Sequence, residues 1–423
     1  MLQTVYTSLT TLAAPAIRGW LSVSRGHREL TGRFQPPSVA IPAHAVWIHA
    51  CSVGEIRTAT PLLKALRATH PDFAFLITVS TRSGWELAHA TFTDVPIAWF
   101  PFDVPAVVRR FVAQVRPRCL ILIETEIWPN LLRELSRRGI PAMLVNGRLS
   151  DKHMPRYRLL RNLFSPAFSS LALAAMQSEE YAQRAIALGA RSDQTTVMGN
   201  IKFDGAVGEV SEATRTALRD ACGLTGDVLI VGSTRPGDEA LIARLWKGLS
   251  RDYPTLRLVI AIRHAARLSE ALACFDEPVM LRSAIVAGKS VAGARILFVD
   301  TLGELTNFYA CAQIAIVGGS FFPGVNGHNP IEPAALGVPT IFGPYMRNFA
   351  DAADALVRGG GSIQVPDSTA LDAAIRALLD DASRRQTLGM RGQTIVRAEQ
   401  GAVSRAVASI DAVLENCTIS NGN

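Results

Sequence analysis

The segment HACSVGEIRTATPLL at residues 49–63 places a serine and a glutamate three positions apart, just before an apolar helical pattern. Ser52 and Glu55 fit a helix capping box, in which the serine hydroxyl accepts an N3 amide and the glutamate returns to the N-cap amide. The same residues could also mark a place where chemistry happens, although the capping box by itself accounts for their spacing. The sequence therefore predicts a helix that begins here and leaves a structural and a catalytic role open for Glu55.

A second group of candidate residues lies in VGGS (317–320) and GHNPIEPAALGVP (327–339). Asn329 suits a helix cap, with Pro330 at the first helical position. An acid such as Glu332 in the first turn stabilises the positive end of a helix, and its two oxygens can also accept hydrogen bonds from both hydroxyls of a ribose. The E-P-A-A-x-G-x-P arrangement resembles the nucleotide-binding segment of glycosyltransferases with the GT-B architecture.

Two shorter stretches of the same half offer contacts to a phosphate. In DTLGEL (300–305), Asp300 or Thr301 can cap a helix whose free amides attract a phosphate, and Gly303 lets a ligand approach the backbone. Arg263 ends the apolar run LVIAIRH, where a basic residue suits a nucleotide phosphate. A capped helix and a solvated basic turn explain these two patterns equally well when each is taken alone.

These residues are carried by two segments of the same layout, which begin at Val46 and at Val228. Each has a short apolar strand, a Ser/Gly loop, an acid, a helix with apolar residues three and four apart, a proline turn and another strand. We therefore predict an α/β protein with two Rossmann-like domains. Because ligands bind beyond the carboxyl ends of parallel strands, we expect both sets of loops to line one interdomain cleft.

The predicted hinge lies in DGAVGEVSEA (204–213), which divides the chain into domains 1–208 and 209–423. The first domain would carry an N-terminal membrane-associating segment. A polar, arginine-rich C-terminal helix over about residues 381–415 is expected to belong to the second domain or to pack back on the first.

Of the 423 residues, 48% are hydrophobic and 19% are charged, and the formal net charge is +7. The positive charge favours an anionic partner. We expect no nucleic acid partner, because no basic run is interleaved with aromatic residues. Six scattered cysteines without a C-x-x-C pair are typical of reduced thiols in a cytoplasmic compartment. No histidine or cysteine spacing predicts a metal site.

The chain begins with 28 residues that include no acid, in which an apolar stretch over 1–17 is followed by Arg18, Trp20, Arg25 and Arg28. The stretch is shorter than the roughly 20 residues that span a bilayer. Its charges follow the apolar part, which disfavours a cleaved signal peptide. Two interpretations remain open, an interfacial membrane anchor and an ordinary first helix packed on the protein.

A second basic and apolar segment is MPRYRLLRNLFSPAF (154–168), in which Arg156, Arg158 and Arg161 stand among leucine and phenylalanine. It suits the phosphates and acyl chains of a lipid, and it also suits a solvated helix face.

Taken together and in order, seven segments resemble the Kdo transferases, which add 3-deoxy-D-manno-oct-2-ulosonic acid (Kdo) to lipid A. They are HACSVGE (49–55), ETEIWPN (124–130), NGRLS (146–150), GNIKFD (199–204), GSTRPGDE (232–239), DTLGEL (300–305), and VGGS with GHNPIEPAALGVP (317–339). The resemblance covers nearly the whole chain, and the ordered set is specific although each segment alone is common.

This resemblance implies an inverting, metal-independent glycosyltransferase of GT-B architecture, without a cofactor. Its donor would be CMP-Kdo, bound by the second domain. Its acceptor, bound by the first domain, would be the lipid A precursor, lipid IVA, at the cytoplasmic face of a Gram-negative inner membrane. The family's general base matches Glu55, and two positions assigned to transition-state stabilisation match Glu124 and Lys202. The positions that contact CMP match Ile262, Arg263, Leu302, Gly303, Glu304, Asn329, Pro330, Ile331 and Glu332.

The chemistry of such a transfer gives these residues their roles. Lys202 and Arg263 would hold the departing phosphate charge, and Glu124 at the end of the strand CLILIET would stabilise positive charge on the sugar. Glu126 shares that face, so the choice between the two acids depends on the resemblance. At Glu55 the helix start favours the ionised carboxylate and burial opposes it, and the sequence leaves the outcome open.

The chain departs from the family pattern at Ile262, where proline is common, and at Arg235, where histidine is common. A backbone contact survives the first change, whereas the second puts a side-chain role at 235 in doubt. The loop over 32–44 also looks shortened. Two other functions remain as alternatives, a GT-B transferase that uses a UDP-sugar and a non-catalytic nucleotide-sugar-binding membrane protein.

Overall fold

The computed structural model describes residues 2–24, 27–150, 154–206, 208–290 and 293–420, so Arg25 of the predicted anchor lies outside the described residues. The chain divides into two compact units, one of Met1–Gly205 with Gln400–Asn423 and the other of Ala206–Glu399. The sequence placed the division between residues 208 and 209 and left the position of the C-terminal helix open. The segment from Gln400 onward belongs to the first unit.

Within the described residues, the first unit is built on a seven-stranded sheet in the order β3-β2-β1-β4-β5-β6-β7. Every pairing between neighbouring strands is parallel. The strands are β1 (Val46–His49), β2 (Phe75–Val79), β3 (Ile97–Trp99), β4 (Cys119–Ile123), β5 (Ala142–Gly147), β6 (Leu173–Met176) and β7 (Thr195–Val197). The carboxyl ends of β1 and β4 therefore lie side by side, because these two strands pair directly.

Helices cover both faces of this sheet, as buried parallel strands require. They are α1 (Leu2–Val23), α2 (Val53–Thr69), α3 (Arg82–Thr91), α4 (Pro105–Val115), α5 (Pro129–Arg137), α6 (Met154–Leu159), α7 (Arg161–Ser169) and α8 (Glu179–Leu188). Val46 and Ile48 of β1 pack with α2 on one face. Trp47 packs with α4 and α5 on the other, so the strand is buried on both sides.

The described part of the second unit repeats this plan, with a seven-stranded sheet in the order β10-β11-β9-β8-β12-β13-β14. Its pairings are parallel throughout. The strands are β8 (Val228–Thr234), β9 (Arg257–Ile262), β10 (Val279–Leu281), β11 (Ile296–Val299), β12 (Ile314–Val317), β13 (Thr340–Phe342) and β14 (Ser362–Gln364). The prediction of two parallel α/β domains from the repeated layout is confirmed.

The helices of the second unit are α9 (Glu212–Ala221), α10 (Asp238–Asp252), α11 (Leu268–Leu272), α12 (Arg282–Val286), α13 (Leu305–Ala310), α14 (Ile331–Ala335), α15 (Ala350–Arg358), α16 (Ser368–Asp380) and α17 (Ala382–Glu399). The last helix, α18 (Ala402–Ser420), lies on the first unit, where Ala406 and Ile410 join the core beside α2. Short 3-10 helices cover Arg28–Phe34, Ser192–Gln194, Ile201–Phe203, Ala265–Arg267 and Arg347–Phe349.

The N-terminal helix α1 is partly embedded in the first unit. Leu21 packs with Phe34 and Val104 in a small apolar cluster. Apolar side chains elsewhere on α1 are exposed, namely Val5, Leu9, Leu12, Ile17, Trp20 and Val23. No helix in the described portion of the chain has the length and apolar content needed to cross a bilayer.

Candidate active site

Glu55 lies in the first turn of α2, directly after the carboxyl end of β1. Its Oε2 accepts a hydrogen bond from the amide of Cys51 at 2.6 Å, and its Oε1 accepts one from the hydroxyl of Ser52 at 3.1 Å. Ser52 is the N-cap residue, but its side chain accepts no amide of the helix. The predicted capping box is therefore wrong in both of its bonds, because the Ser52 hydroxyl donates to Glu55 and the carboxylate reaches one residue beyond the N-cap amide.

Glu55 is only 8% exposed. Burial raises its pKa to about 8, and the charges of Glu126 and Glu124 act in the same direction. The Cys51 amide and the Ser52 hydroxyl oppose this rise by stabilising the ionised form, but they are outweighed. The structure thus answers the question that the sequence left open, since burial prevails over the helix start and gives a carboxyl group that can take up a proton near neutral pH.

Glu124 and Lys202, predicted as partners of Glu55, are neighbours in the first unit. Glu124 follows β4, and its Oε1 lies 3.6 Å from Nζ of Lys202. The side chains are 21% and 22% exposed, so the ion pair is partly shielded from water. Glu124 has a left-handed backbone with φ of 61°, which costs a side chain of this kind about 1 kcal/mol. The fold therefore holds this carboxylate in a conformation that it would not adopt alone.

Glu126, which the sequence left as an alternative to Glu124, also lies beside Glu55. Its Oε2 accepts a hydrogen bond from the indole of Trp128 at 2.9 Å and lies 3.6 Å from Nε2 of His49. His49 is fully buried and stacks on Phe100 with ring centroids 3.7 Å apart. Burial lowers the pKa of His49, the neighbouring Glu126 opposing that effect. Glu126 and His49 are thus additions to the predicted site, brought close by the pairing of β1 with β4.

The same cluster offers possible ligands for a cation. Across the described ranges, Cys51, Glu55 and Glu126 place a thiol and two carboxylates within 4.8 Å of one another. Burial, followed by the charges of Glu126 and Glu55, raises the pKa of the Cys51 thiol to about 12. These three groups could therefore hold a cation only with loss of the thiol proton.

In the second unit, Arg263 follows β9, and its amide donates to the carbonyl of Thr234 at 3.2 Å. The guanidinium is exposed, and it is close enough to Glu332 to oppose a rise in the pKa of that carboxyl group. Ile262 is partly exposed at the end of the strand. Arg263 therefore brings positive charge to the carboxyl edge of the second sheet, where the sequence placed a phosphate contact.

Arg235, the position at which a side-chain role was in doubt, lies after β8. Its guanidinium contacts Nε2 of His264, and its amide donates to Asp238 at 2.9 Å. Burial and then the charges of Arg235, Arg263 and Arg267 lower the pKa of His264, so that the neutral imidazole can accept from Arg235. Arg267 is itself paired with Glu239 and Glu270 at 3.0 and 2.9 Å, so Arg235 and Arg263 supply the positive charge of this edge.

The predicted donor-binding loop at 301–304 is fixed by Arg282, which the sequence did not indicate. The Arg282 guanidinium donates to both carboxylate oxygens of Glu304 at 2.8 and 3.2 Å and holds the pKa of that carboxyl group below its usual value. Leu302 is 89% exposed, and Gly303 has a φ of 83°. Glu304 therefore positions the loop through its side chain, while Leu302 and Gly303 present the main chain.

The helix cap predicted at Asp300 or Thr301 is wrong. The N-cap of α13 is Glu304, which makes no side-chain cap bond. Asp300 instead accepts from the amide and the hydroxyl of Ser283 at 2.9 and 2.5 Å. Thr301 donates its hydroxyl to Glu304. Both residues thus fix the loop to its neighbours, and the helix begins later than the pattern suggested.

Asn329 and Glu332 form a connected pair at the start of α14. The Asn329 side chain accepts from the amide of Ile331 at 3.0 Å and donates to Oε1 of Glu332 at 3.0 Å. Pro330 occupies the N-cap and not the first helical position, a shift of one residue from the prediction. Because Pro330 and Ile331 are buried, only their main chain can reach a ligand. Oε2 of Glu332 has no hydrogen-bond partner among the described residues.

Burial raises the pKa of Glu332, which Asn329 and then Arg263 oppose. Tyr309 lies close by: burial and then the charge of Glu332 raise the pKa of its phenol. A Cβ atom at Gly232 would overlap the Tyr309 hydroxyl, so the glycine makes room for this ring at the end of β8. No pattern in the sequence indicated Tyr309.

The chain is similar to known proteins over nearly its whole length. A family model described as 3-deoxy-D-manno-octulosonic-acid transferase (kdotransferase) matches residues 26–205. A 3-deoxy-D-manno-octulosonic acid transferase of Haemophilus influenzae is 32% identical over 97% of this chain and 98% of its own length. One of Bordetella pertussis is 33% identical, over 96% of this chain and 98% of its own.

Solved structures with a similar fold are more distant in sequence. UDP-GlcNAc 2-epimerase of Neisseria meningitidis, bound to UDP-GlcNAc, has a TM-score of 0.55 at 12% identity and covers 88% of this chain and 100% of its own. Anabaena HepE in complex with UDP has a TM-score of 0.54 at 15% identity, with 88% and 100% covered. These likenesses concern the fold alone, and they agree with the predicted GT-B architecture.

Proposed function

Because the chain belongs to the family of 3-deoxy-D-manno-octulosonic acid transferases, which are glycosyltransferases, we propose that it moves Kdo from CMP-Kdo to the lipid A precursor lipid IVA, with inversion at the anomeric carbon. The observation that carries the proposal is the buried carboxyl group of Glu55, whose pKa of about 8 and two hydrogen bonds suit a general base.

In the proposed reaction, the acceptor hydroxyl attacks the anomeric carbon of Kdo while the carboxylate of Glu55 takes the hydroxyl proton. The bond between the anomeric carbon and the phosphate oxygen breaks, and CMP leaves with the electron pair. Glu124 stabilises the positive charge that develops on the sugar ring, and Lys202 supplies positive charge for the leaving group. Their separation of 3.6 Å supports a shared function.

Residues of the second unit support the choice of CMP-Kdo as donor. Glu332 has an oxygen for ribose hydroxyls, and Arg263 and the exposed main chain of Leu302 and Gly303 suit the phosphate. A single donor phosphate needs less positive charge than a pyrophosphate, and the arginines at this edge can provide it without a divalent ion.

We further propose that the protein acts at the cytoplasmic surface of the inner membrane. The exposed apolar side chains of α1, together with Arg18 and the exposed Leu159 of α6, support this location. Such a helix lies in the interface with its apolar side towards the acyl chains. The net charge of +7 favours an anionic membrane surface.

The proposed reaction can be tested by incubating the protein with CMP-Kdo and a tetra-acylated lipid A precursor and weighing the product by mass spectrometry. A mass gain of one or more Kdo residues is expected. Thermal unfolding in the presence of CMP or UDP tests the donor separately, and stabilisation by UDP alone would contradict the assignment of CMP-Kdo.

Substitution of Glu126→Gln tests how the base is tuned. Removing the negative charge that raises the pKa of Glu55 should lower the midpoint of the kcat/KM–pH profile from about 8. Below that midpoint the variant should therefore have a larger ionised fraction of Glu55 than the unmodified protein. The exposed Glu179→Gln is the matched control. Equal midpoints for the two variants would show that Glu126 does not raise the pKa of Glu55.

Substitution of Arg282→Gln tests the donor loop. Without the guanidinium, Glu304 loses the bonds of 2.8 and 3.2 Å that fix the loop, and the affinity for CMP should fall by about tenfold, or about 1.4 kcal/mol. Titration calorimetry with CMP measures this change. Lys289→Gln is the control, because Lys289 is exposed and, like Arg282, precedes the loop at 301–304 in the sequence. This variant should bind CMP normally. Equal CMP affinity in both variants would show that Arg282 does not act on the donor site.

A further inference from the structure

One face of α1 is polar and is bound to the body of the first unit. The Tyr6 hydroxyl donates to Oδ2 of Asp103 at 2.9 Å, and the Thr7 hydroxyl donates to Oδ1 of Asn130 at 2.8 Å. Gln3 adds a longer contact of 3.4 Å to the same oxygen of Asn130. Tyr6 and Thr7 lie three and four positions after Gln3, so the three residues share one side of the helix.

Of the two residues that accept these bonds, Asp103 lies in the loop before α4 and Asn130 lies in the first turn of α5. Asp103 accepts from the amides of Asn130 and Leu131 at 3.0 and 2.8 Å, and so caps the first turn of the helix from a distant loop. The Asn130 side chain returns a bond to the carbonyl of Asp103 at 2.7 Å. The two side chains are 5% and 6% exposed, so a lost partner cannot readily be replaced by water.

The loop that precedes α5 carries two carboxylates of the candidate active site, Glu124 and Glu126. Trp128 immediately precedes α5, and its indole donates to Glu126 at 2.9 Å. The same indole ring packs against Phe100, with centroids 5.5 Å apart, and Phe100 stacks on His49. Hydrogen bonds from α1 to Asp103 and Asn130, the main chain from residue 130 back to 128, and the bond from Trp128 to Glu126 therefore connect α1 with an acid beside Glu55.

We propose that α1 is part of the catalytic unit: through Tyr6, Thr7, Asp103 and Asn130 its polar face positions the loop at 124–128. These four are positioning residues, and the inference rests on the proposed roles of Glu55 and Glu124. The exposed apolar residues Val5, Leu9 and Leu12 lie on a different side of α1 and remain available for a membrane surface. One helix thus serves the lipid interface and the reaction with two separate faces.

The double variant Tyr6→Phe with Thr7→Val tests this inference, because it removes both hydroxyls and keeps the side-chain volumes. Its matched control is Thr4→Val with Ser8→Ala, which removes two hydroxyls from exposed positions of the same helix. Assays use the full chain with detergent-dispersed acceptor, so that turnover does not depend on vesicle binding. We expect kcat to fall by at least about tenfold, since a displacement of about 1 Å can cost about 100-fold. The KM for CMP-Kdo should change by less than about twofold.

Two further readouts separate positioning from general destabilisation. Hydrogen exchange of the amides over 124–131 should be faster in the double variant than in the control, whether or not Kdo is transferred. Tyr6→Phe with Thr7→Ser, which keeps the second hydroxyl, should recover part of kcat. Unchanged exchange over 124–131, or kcat within about twofold of the control, would overturn the inference. Absence of Kdo transfer by the unmodified protein would instead contradict the proposed function. The hydrogen exchange over 124–131 would then decide by itself whether α1 positions the loop.

Discussion

Replacement of Glu55 by glutamine is expected to reduce Kdo transfer by about 1,000-fold, within the range that a general base contributes. The amide side chain keeps the volume of the carboxyl group and can still accept from the Cys51 amide, but it cannot take the acceptor proton. Binding of CMP should be unchanged, because no CMP contact is assigned to Glu55. Single-turnover transfer and CMP titration measure the two effects. Exposed Glu86→Gln on α3 is the control.

The same variant should also change how stability depends on pH. The pKa of Glu55 is about 8 in the folded protein against 4.5 as its ordinary value, so between these values the unfolded chain releases a proton that the folded protein retains. The stability associated with this proton is full below pH 4.5 and is lost as pH rises through 8. Glu55→Gln should therefore gain stability relative to the unmodified protein at pH 9 by about 1–3 kcal/mol.

Denaturant unfolding at pH 6 and pH 9 measures that gain. If the variant turns over normally, Glu55 is not the base. If turnover is lost but the stability difference is the same at both pH values, Glu55 is catalytic without being held protonated by burial.

Replacement of Lys202 by glutamine is expected to lower kcat by about 100-fold, comparable to the loss of one preorganised charge partner at a reacting centre. The substitution removes the ammonium group 3.6 Å from Glu124 and leaves three glutamates clustered without it. Lys202→Arg should recover part of the rate, because it restores the charge with a different shape. Lys64→Gln, on the exposed side of α2, is the charge-matched control.

A double variant with Glu124→Gln and Lys202→Gln shows whether the two residues act together. If they do, the double loss should be clearly smaller than the product of the single losses. Fully multiplicative losses would mean that the pair, although close in space, serves two separate steps.

The fold was predictable because its signals are local and repeated. The segments that begin at Val46 and Val228 each change from a buried strand to a helix of period 3.6 within a few residues, and this pattern has few alternatives to a βαβ unit. Both became parallel sheets. The starts of α2, α13 and α14 were less predictable. The conformation of the preceding loop determines which groups form hydrogen bonds there. At Glu55, for example, the turn at Cys51 brings an amide closer than the N-cap amide.

The candidate site was predictable in its members and not in its electrostatics. Glu55, Glu124 and Lys202 were identified by resemblance, and the structure places all three in the first unit, with Glu124 beside Lys202. The pKa of Glu55 depends on burial and on Glu126, which follows a different strand, so no local pattern could indicate it. Arg282 was missed for the same reason, because it reaches Glu304 from a separate helix.

The left-handed backbone of Glu124 has a consequence for mutational scanning and for the design of altered substrate preference. In a library of substitutions at this position, activity will depend on both the chemistry of the side chain and its compatibility with the left-handed backbone. Valine, isoleucine and threonine will score as inactive because they do not fit this backbone conformation. Glycine and asparagine tolerate the conformation and delete the acid, so they isolate the chemical contribution. Alanine deletes the acid at a backbone cost similar to that of glutamate, so it complements the glycine and asparagine variants.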